Sequence, residues 1–167
     1  MSSRMVTNKP FILPGANHPA MPSLSIHAGG LDLANPVILA AGILGTTGAS
    51  LCRAARAGAG GVVTKSVGST PREGHAGPCI VSVQGGLLNA MGLPNPSYRN
   101  FQEEIETGRR SGVPVIASIF GSSPAEFAQI ARALKADAFE LNLSCPHAEK
   151  YGSELGRYAD MVESVTG

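Results

Sequence analysis

Tryptophan is absent from this sequence, and aromatic residues fill only 5% of its 167 positions. A nucleic-acid surface built on base stacking is therefore not expected. Charge is sparse as well: Asp, Glu, Lys and Arg together make up 15% of the chain, and the formal net charge is +1. No basic face is available for a polyanion, so no nucleic-acid partner is implied. Cysteine is limited to Cys52, Cys79 and Cys145, an odd number with no Cys-x-x-Cys spacing. That argues against a disulfide framework and against a metal site of the zinc type, and a reducing, cytoplasmic setting is the default. No apolar run approaches the ~18 residues of a spanning helix and no signal peptide is visible, so no membrane association is expected.

What the chain has in quantity is glycine, 21 residues, and proline, 12, placed between short apolar runs as tight loops require. Residues 1–22 are polar, Pro-rich and without period, and read as an N-terminal tail or arm. From residue 23 to 167 no linker interrupts the pattern, which predicts one domain. Ser23 to Ile26 and Leu31 to Leu33 flank Gly29-Gly30 and predict a short β-hairpin. Val37 to Ala41 is a continuous apolar run closed by Gly42, the signature of a strand buried on both faces.

A helix is predicted over Ser50 to Ala57, a second buried strand over Gly61 to Ser66, and a long Gly- and Pro-rich connection over Val67 to Pro96. Tyr98 to Arg110 predicts a helix, with acids near its start and arginines near its end. Val113 to Ile119 predicts a third strand. Ser123-Pro124-Ala125-Glu126 opens a helix that runs to Lys135. A fourth strand over Phe139 to Leu143 and a helix over Ser153 to Val165 complete the order.

Four strand–helix units in succession imply a parallel α/β sheet with right-handed crossovers. Two architectures compete, a doubly wound open sheet and a (β/α)8 barrel of the TIM type. The barrel takes about 250 residues, so this chain would supply its first four β-α units, a half barrel preceded by the hairpin.

Polar clusters interrupt the apolar pattern at or beyond strand ends: Thr64-Lys65-Ser66, then Asn89-Ala90-Met91-Gly92-Leu93-Pro94-Asn95, then Asn142-Leu143-Ser144-Cys145-Pro146-His147. In parallel α/β folds the C-terminal strand ends are where ligands bind. Taken singly each cluster has a plainer reading. Lys65 is then a solvated lysine, Asn89 and Asn95 are turn residues, and Cys145 is a buried thiol.

In this order and spacing the clusters resemble the dihydroorotate dehydrogenases, flavin enzymes of pyrimidine biosynthesis, and are most similar to the soluble, cytosolic class with a cysteine base. The likeness runs from Ser23 to the C-terminus. It implies FMN as cofactor and oxidation of dihydroorotate to orotate in UMP synthesis. It also implies that Ala40, Ala41 and Gly42 line the flavin through backbone, where small residues let a planar ring approach. Lys65 would stand near both the flavin and the substrate carboxylate, and Ser66, Ser118 and Asn142 would contact the flavin. Substrate would be held by Lys65, Asn89, Asn142, the backbone of Met91, Gly92 and Leu93, and residue 147. Cys145 would be the general base, taking a ring proton while hydride leaves the adjacent carbon.

Among partners the resemblance implies a homodimer and, where NAD is the electron acceptor in place of fumarate, a separate subunit with FAD and an iron–sulfur cluster. The sequence departs from the family at two points. His147 replaces the usual asparagine, which keeps open a related flavin barrel acting on another dihydropyrimidine. The family's second half, with its further lysine and flavin-phosphate loops, has no counterpart in 167 residues. A non-catalytic half barrel that needs a partner is the remaining alternative.

Overall fold

The structure, a computed structural model, describes residues 23–143 and 155–167. The tail expected over 1–22 and the predicted site residues Cys145 and His147 lie outside the described residues.

The chain opens with an antiparallel hairpin of β1 (Ile26–Ala28) and β2 (Leu31–Leu33), in which Ala28 pairs with Leu31. Gly29 and Gly30 both have positive φ, 57° and 76°, as a two-residue type I′ turn requires. That turn runs β1 directly up to Ala28, so the first strand sits later than the expected Ser23 to Ile26. The hairpin packs at the N-terminal end of the main sheet: Leu33 is buried beside Gly61, and the Asn35 side chain donates to the Gly58 carbonyl at 2.9 Å.

Next come β3 (Ile38–Leu39), a 3-10 turn over Ile43–Gly45, α1 (Gly48–Arg56) and β4 (Gly61–Val63). Helix α1 begins before the expected Ser50 because Thr47 and Ser50 form a reciprocal capping box ahead of it. The long connection expected after β4 holds a second antiparallel hairpin that the sequence reading did not include, β5 (Ile80–Val83) and β6 (Gly86–Asn89). A 3-10 turn, Tyr98–Asn100, precedes α2 (Gln102–Arg109), splitting the single helix expected there. Tyr98 and Phe101 at this break are both buried in the core.

The sequence then gives β7 (Val115–Ile119), α3 (Pro124–Ala133), β8 (Ala138–Leu141), a 3-10 turn at 155–157 and α4 (Ala159–Thr166). Helix α3 starts as predicted, with Ser123 capping the Glu126 amide and Pro124 in the first turn. The expected start of the last helix, Ser153, lies outside the described residues.

The main sheet is parallel, in the order β3-β4-β7-β8. Sequence order and spatial order coincide, so these strands contain no topological switch point, which a doubly wound sheet needs. Leu51 of α1, Ile105 of α2, and Phe127 and Ile130 of α3 share one core with Val62, Val115, Ala117 and Ile119 of the sheet. Helices therefore cover a single face, as in a (β/α)8 barrel, and the four strands make up half of one. The strand expected to be buried on both faces at Val37 to Ala41 is corrected: β3 is short and Val37 is 65% exposed. The reason is position, because β3 is the sheet edge among the described residues, whereas β4 between two neighbours is wholly buried.

Candidate active site

Beyond the C-terminal ends of β3 and β4 lies a cleft of about 790 Å³. One wall is the segment Leu39 to Leu44, where β3 runs out into the 3-10 turn. Its middle, Ala40-Ala41-Gly42, carries almost no side chain. Gly42 has φ 147°, a conformation that favours glycine, and a Cβ built on it would meet nothing within 4 Å. The facing wall is the β5–β6 hairpin, through Ile80, Leu87 and Asn89. These residues share the hairpin's inner face, since Ile80 pairs with Asn89 and Leu87 with Ser82.

Among the described residues Lys65 is the one charged side chain lining this cleft, and it is half-buried. Its backbone is anchored where the strand ends: the Lys65 amide donates to the Gly45 carbonyl at 2.8 Å. Asn142, just past β8, reaches the same cleft. The Asn142 amide donates to the Ile119 carbonyl at 2.8 Å, and Nδ2 donates to Ser66 Oγ at 3.2 Å. Ser66 in turn shares a hydrogen bond of 2.8 Å with Ser118. A smaller adjoining cavity of about 390 Å³ has Ser66 and Glu140 in its wall and shares Lys65 and Asn142 with the cleft.

The loop Met91-Gly92-Leu93 forms the remaining side, and its carbonyls are all engaged. Met91 O accepts from the His75 amide at 3.0 Å, Gly92 O from Arg72 Nε at 3.3 Å, and Leu93 O from Asn95 Nδ2 at 2.9 Å. A planar trans peptide points its N–H opposite to its C=O. Met91 O shares its peptide with the Gly92 N–H and Gly92 O with the Leu93 N–H, so carbonyls held by the His75 amide and by Arg72 Nε turn these two N–H groups the other way, toward the cleft. Both residues have positive φ, 74° and 55°. Gly92 is constrained a second time, because a Cβ there would approach the His75 ring to 2.7 Å. The cleft therefore offers a cation, amide side chains and outward-turned backbone donors around an apolar floor. That set suits a small, planar, polar anion.

Of the predicted residues, Ala40, Ala41, Gly42, Lys65, Asn89, Met91, Gly92, Leu93 and Asn142 all border the one cleft, and Ser66 borders the adjoining cavity. Ser118 borders neither: it is fully buried and touches the site through Ser66. Two features escaped the sequence reading. The apolar wall of Ile80 and Leu87 was signalled only by two short apolar stretches on either side of Gln84-Gly85. The polar contacts behind the loop, centred on Asn95, carried no signal beyond that of a turn asparagine. Among the described residues no group of His, Cys, Asp and Glu could hold a metal ion, and no helix is long and apolar enough to cross a membrane.

Fold and site together define a β-α half barrel with a cleft at the C-terminal strand ends. The sequence profile of the dihydroorotate dehydrogenase family matches residues 23–167, and the chain belongs to that family. It is 57% identical over 144 residues to a protein of Methanocella arvoryzae described as dihydroorotate dehydrogenase B (NAD(+)), catalytic subunit, covering 86% of this chain and 48% of that relative. Proteins of the same description from Methanosarcina acetivorans and Thermococcus kodakarensis are 60% and 52% identical, over 82% and 85% of this chain and 46% and 47% of theirs. The chain spans about half the length of the curated relatives it matches.

Proposed function

We propose that this segment supplies the N-terminal half of the active site of an FMN-dependent dihydroorotate dehydrogenase, which oxidises dihydroorotate to orotate in pyrimidine biosynthesis. The observation that carries the reading is convergence. Lys65, Asn89, Asn142 and the Met91–Leu93 backbone come from distant stretches of sequence, yet border one cleft beside a wall bare of side chains.

The residues fit an isoalloxazine ring. The Ala40–Gly42 backbone gives it a flat face, and Lys65, Ser66 and Asn142 give its polar edge a cation, a hydroxyl and an amide. The phosphate of the cofactor is assigned to parts of the relatives beyond this span. A bound flavin supplies the two-electron redox chemistry. The chain's own groups bind and orient. Gly92 and Leu93 N–H groups and the Asn89 amide hold the substrate anion, and the Lys65 ammonium offsets negative charge at the reacting edge. Donation from Asn142 Nδ2 to Ser66 fixes how the Asn142 amide is presented. Cys145, three positions after Asn142, is assigned the role of general base, removing the ring proton as thiolate. The relatives' description as NAD(+)-dependent catalytic subunits supports NAD, reached through a separate FAD and iron–sulfur subunit, over fumarate as the final acceptor.

The test is anaerobic stopped-flow flavin reduction by dihydroorotate in a full-length context. Cys145→Ala should lose most of the reduction rate while keeping flavin bound, and His147→Asn should keep the rate. Lys65→Ala should weaken both flavin reduction and orotate binding. If dihydroorotate leaves the flavin of the unsubstituted enzyme oxidised, the proposal is wrong. If Cys145→Ala reduces flavin at the parent rate and His147→Asn does not, the base is His147.

A further inference from the structure

The substrate loop stands outside the core cluster of sheet and helices, although Leu93 itself is buried. Met91 is only half-buried, and the loop's three carbonyls are bound by polar groups of neighbouring segments. Among those groups one side chain stands at the centre. Asn95 is 8% exposed, and every polar atom of its amide is used. Oδ1 accepts from the Gly68 amide at 3.2 Å and from the Ser97 amide at 2.9 Å, while Nδ2 donates to Leu93 O at 2.9 Å. Its backbone exchanges both hydrogen bonds with Arg72, at 2.9 and 3.0 Å. One side chain therefore ties together the exit of β4 at Gly68, the loop at Leu93 and the entry to α2 at Ser97.

The two ends it ties are strained. Leu93 has φ 55°, and Ser97 has φ 75° with ψ 151°, a region that is essentially reserved for glycine. Such conformations persist only where the surroundings over-determine them. For Ser97 the surroundings continue outward. Ser97 Oγ donates to Ser69 O at 3.0 Å, and the Ser69 hydroxyl donates to the Glu126 carboxylate in the first turn of α3. Glu126 also accepts from the Ser122 amide and hydroxyl, each at 2.8 Å. A continuous polar chain thus runs from a rigid helix to the Leu93 carbonyl, and Asn95 is its last link.

We infer that Asn95 is the positioning residue of the substrate loop: by holding Leu93 O and Ser97 N together, and by pairing its backbone with Arg72, it fixes the turn in which Arg72 and His75 keep the Leu93 and Gly92 N–H groups aimed into the cleft before any ligand arrives. This rests on the reading of the cleft as an orotate site. Without Asn95 the loop samples other shapes, and apparent affinity falls by the fraction of time spent out of the competent one. The reactive groups on the strand ends, and the flavin wall, are untouched.

The experiment compares Asn95→Ala, Asn95→Asp and the core variant Ile105→Val with the parent, in a full-length context. Amide hydrogen exchange is followed by mass spectrometry without ligand, and orotate affinity by titration of the flavin spectrum. Asn95→Ala should speed exchange over residues 89–97 by about tenfold and raise the orotate Kd by a similar factor, with flavin content and kcat at saturating dihydroorotate changed little. Asn95→Asp keeps the acceptor for Gly68 and Ser97 but faces the Leu93 carbonyl without a donor. It should loosen residues 91–93 while the Gly68 and Ser97 amides stay protected. It also decides the matter if the alanine variant does not fold. Ile105→Val destabilises the core and should move neither readout. Unchanged exchange over 89–97, or faster exchange with parental orotate affinity, overturns the inference. A parent enzyme with no affinity for orotate overturns the reading of the cleft itself, and the titration of the parent separates that failure from the other.

Discussion

Gly45 is the position where a single methyl group should report on the whole arrangement. It closes the 3-10 turn after the Ala40–Gly42 wall, and its carbonyl receives the Lys65 amide at 2.8 Å. Its φ is not in the left-handed region, so conformation does not demand glycine; space does. A Cβ added there would stand 2.6 Å from Lys65 N, 2.7 Å from Thr64 C and 2.7 Å from Val63 O. All these atoms are backbone, so no rotamer change relieves the contact. Restoring ordinary van der Waals distance, 3.4 Å or more, requires the turn and the end of β4 to part by about 0.8 Å. The Lys65–Gly45 hydrogen bond would then stretch beyond useful length, costing about 1 kcal/mol. Overpacking adds about 1–3 kcal/mol. Gly45→Ala should therefore lower stability by about 2–4 kcal/mol, and Tm by roughly 5–15 °C for a chain of this size.

In a full-length context the same displacement separates Lys65 from the Ala40–Gly42 wall, and a shift near 1 Å in a reacting constellation costs about a hundredfold in rate. Gly86→Ala is the control, because its Cβ would meet nothing within 4 Å and its φ is ordinary. It should be neutral or slightly stabilising. Differential scanning calorimetry of both variants, with single-turnover flavin reduction, gives the comparison. A Gly45→Ala protein that melts with the parent refutes the packing argument.

The remaining predictions concern charge and edges. Partial burial pushes the Glu126 carboxyl up, but hydrogen bonds from the Ser69 hydroxyl and from the Ser122 amide and hydroxyl outweigh it and hold its pKa below the usual carboxylate value. A depressed pKa contributes stability above the unfolded value that is lost as pH falls through the folded one. Glu126→Gln should thus be destabilised by about 1 kcal/mol near neutral pH, a difference that shrinks in acid; urea unfolding from pH 7 to 3 checks it, and a constant difference would count against the charged network. The 167-residue chain purified alone should be colourless and prone to associate. Its edge strand β3 leaves Val37 exposed, and the outer face of the β5–β6 hairpin leaves Leu88 61% exposed. Stoichiometric yellow flavin on a monodisperse chain would contradict that expectation.

The parts of the fold that could be read in the sequence are those set by local chemistry. Val62-Val63 and Val115 to Ile119 are apolar runs bounded by Gly and Pro, and both are strands with two neighbours. Ser123-Pro124 marks a helix start wherever it is placed. What failed to show is set by neighbours. Val37 and Ile38 are apolar and β-branched like Val62 and Val63, and only strand order decides that β3 is an edge among the described residues. The β5–β6 hairpin was hidden because it is apolar on both faces: Ile80 and Leu87 point into the cleft, while Val81 and Leu88, paired with each other, point away. Without polar alternation, Ile80 to Val83 lacks the period that reveals a half-buried strand.

The site divides the same way, and the division has a consequence for how it works. Lys65 and Asn142 sit at the ends of strands whose register is fixed by the core, so a buried apolar pattern followed by a polar residue announces them. Met91, Gly92 and Leu93 carry no such signal: a resemblance of motifs found them, and their role lies in backbone N–H groups that no side chain reveals. The direction of those N–H groups depends on Arg72 and the His75 amide, and the turn they sit in depends on Asn95 and, through it, on Ser97, Ser69 and Glu126. Two supports of different chemistry therefore converge on one ligand. The apolar core fixes the cation and the amide that face it from the strands, and a polar chain fixes the donors that face it from the loop. Small core substitutions such as Ile105→Val should lower global stability and leave the shape of the cleft unchanged. Substitutions in the polar chain should act on the loop alone, so that ligand affinity changes while the Ala40–Gly42 side of the cleft keeps its shape.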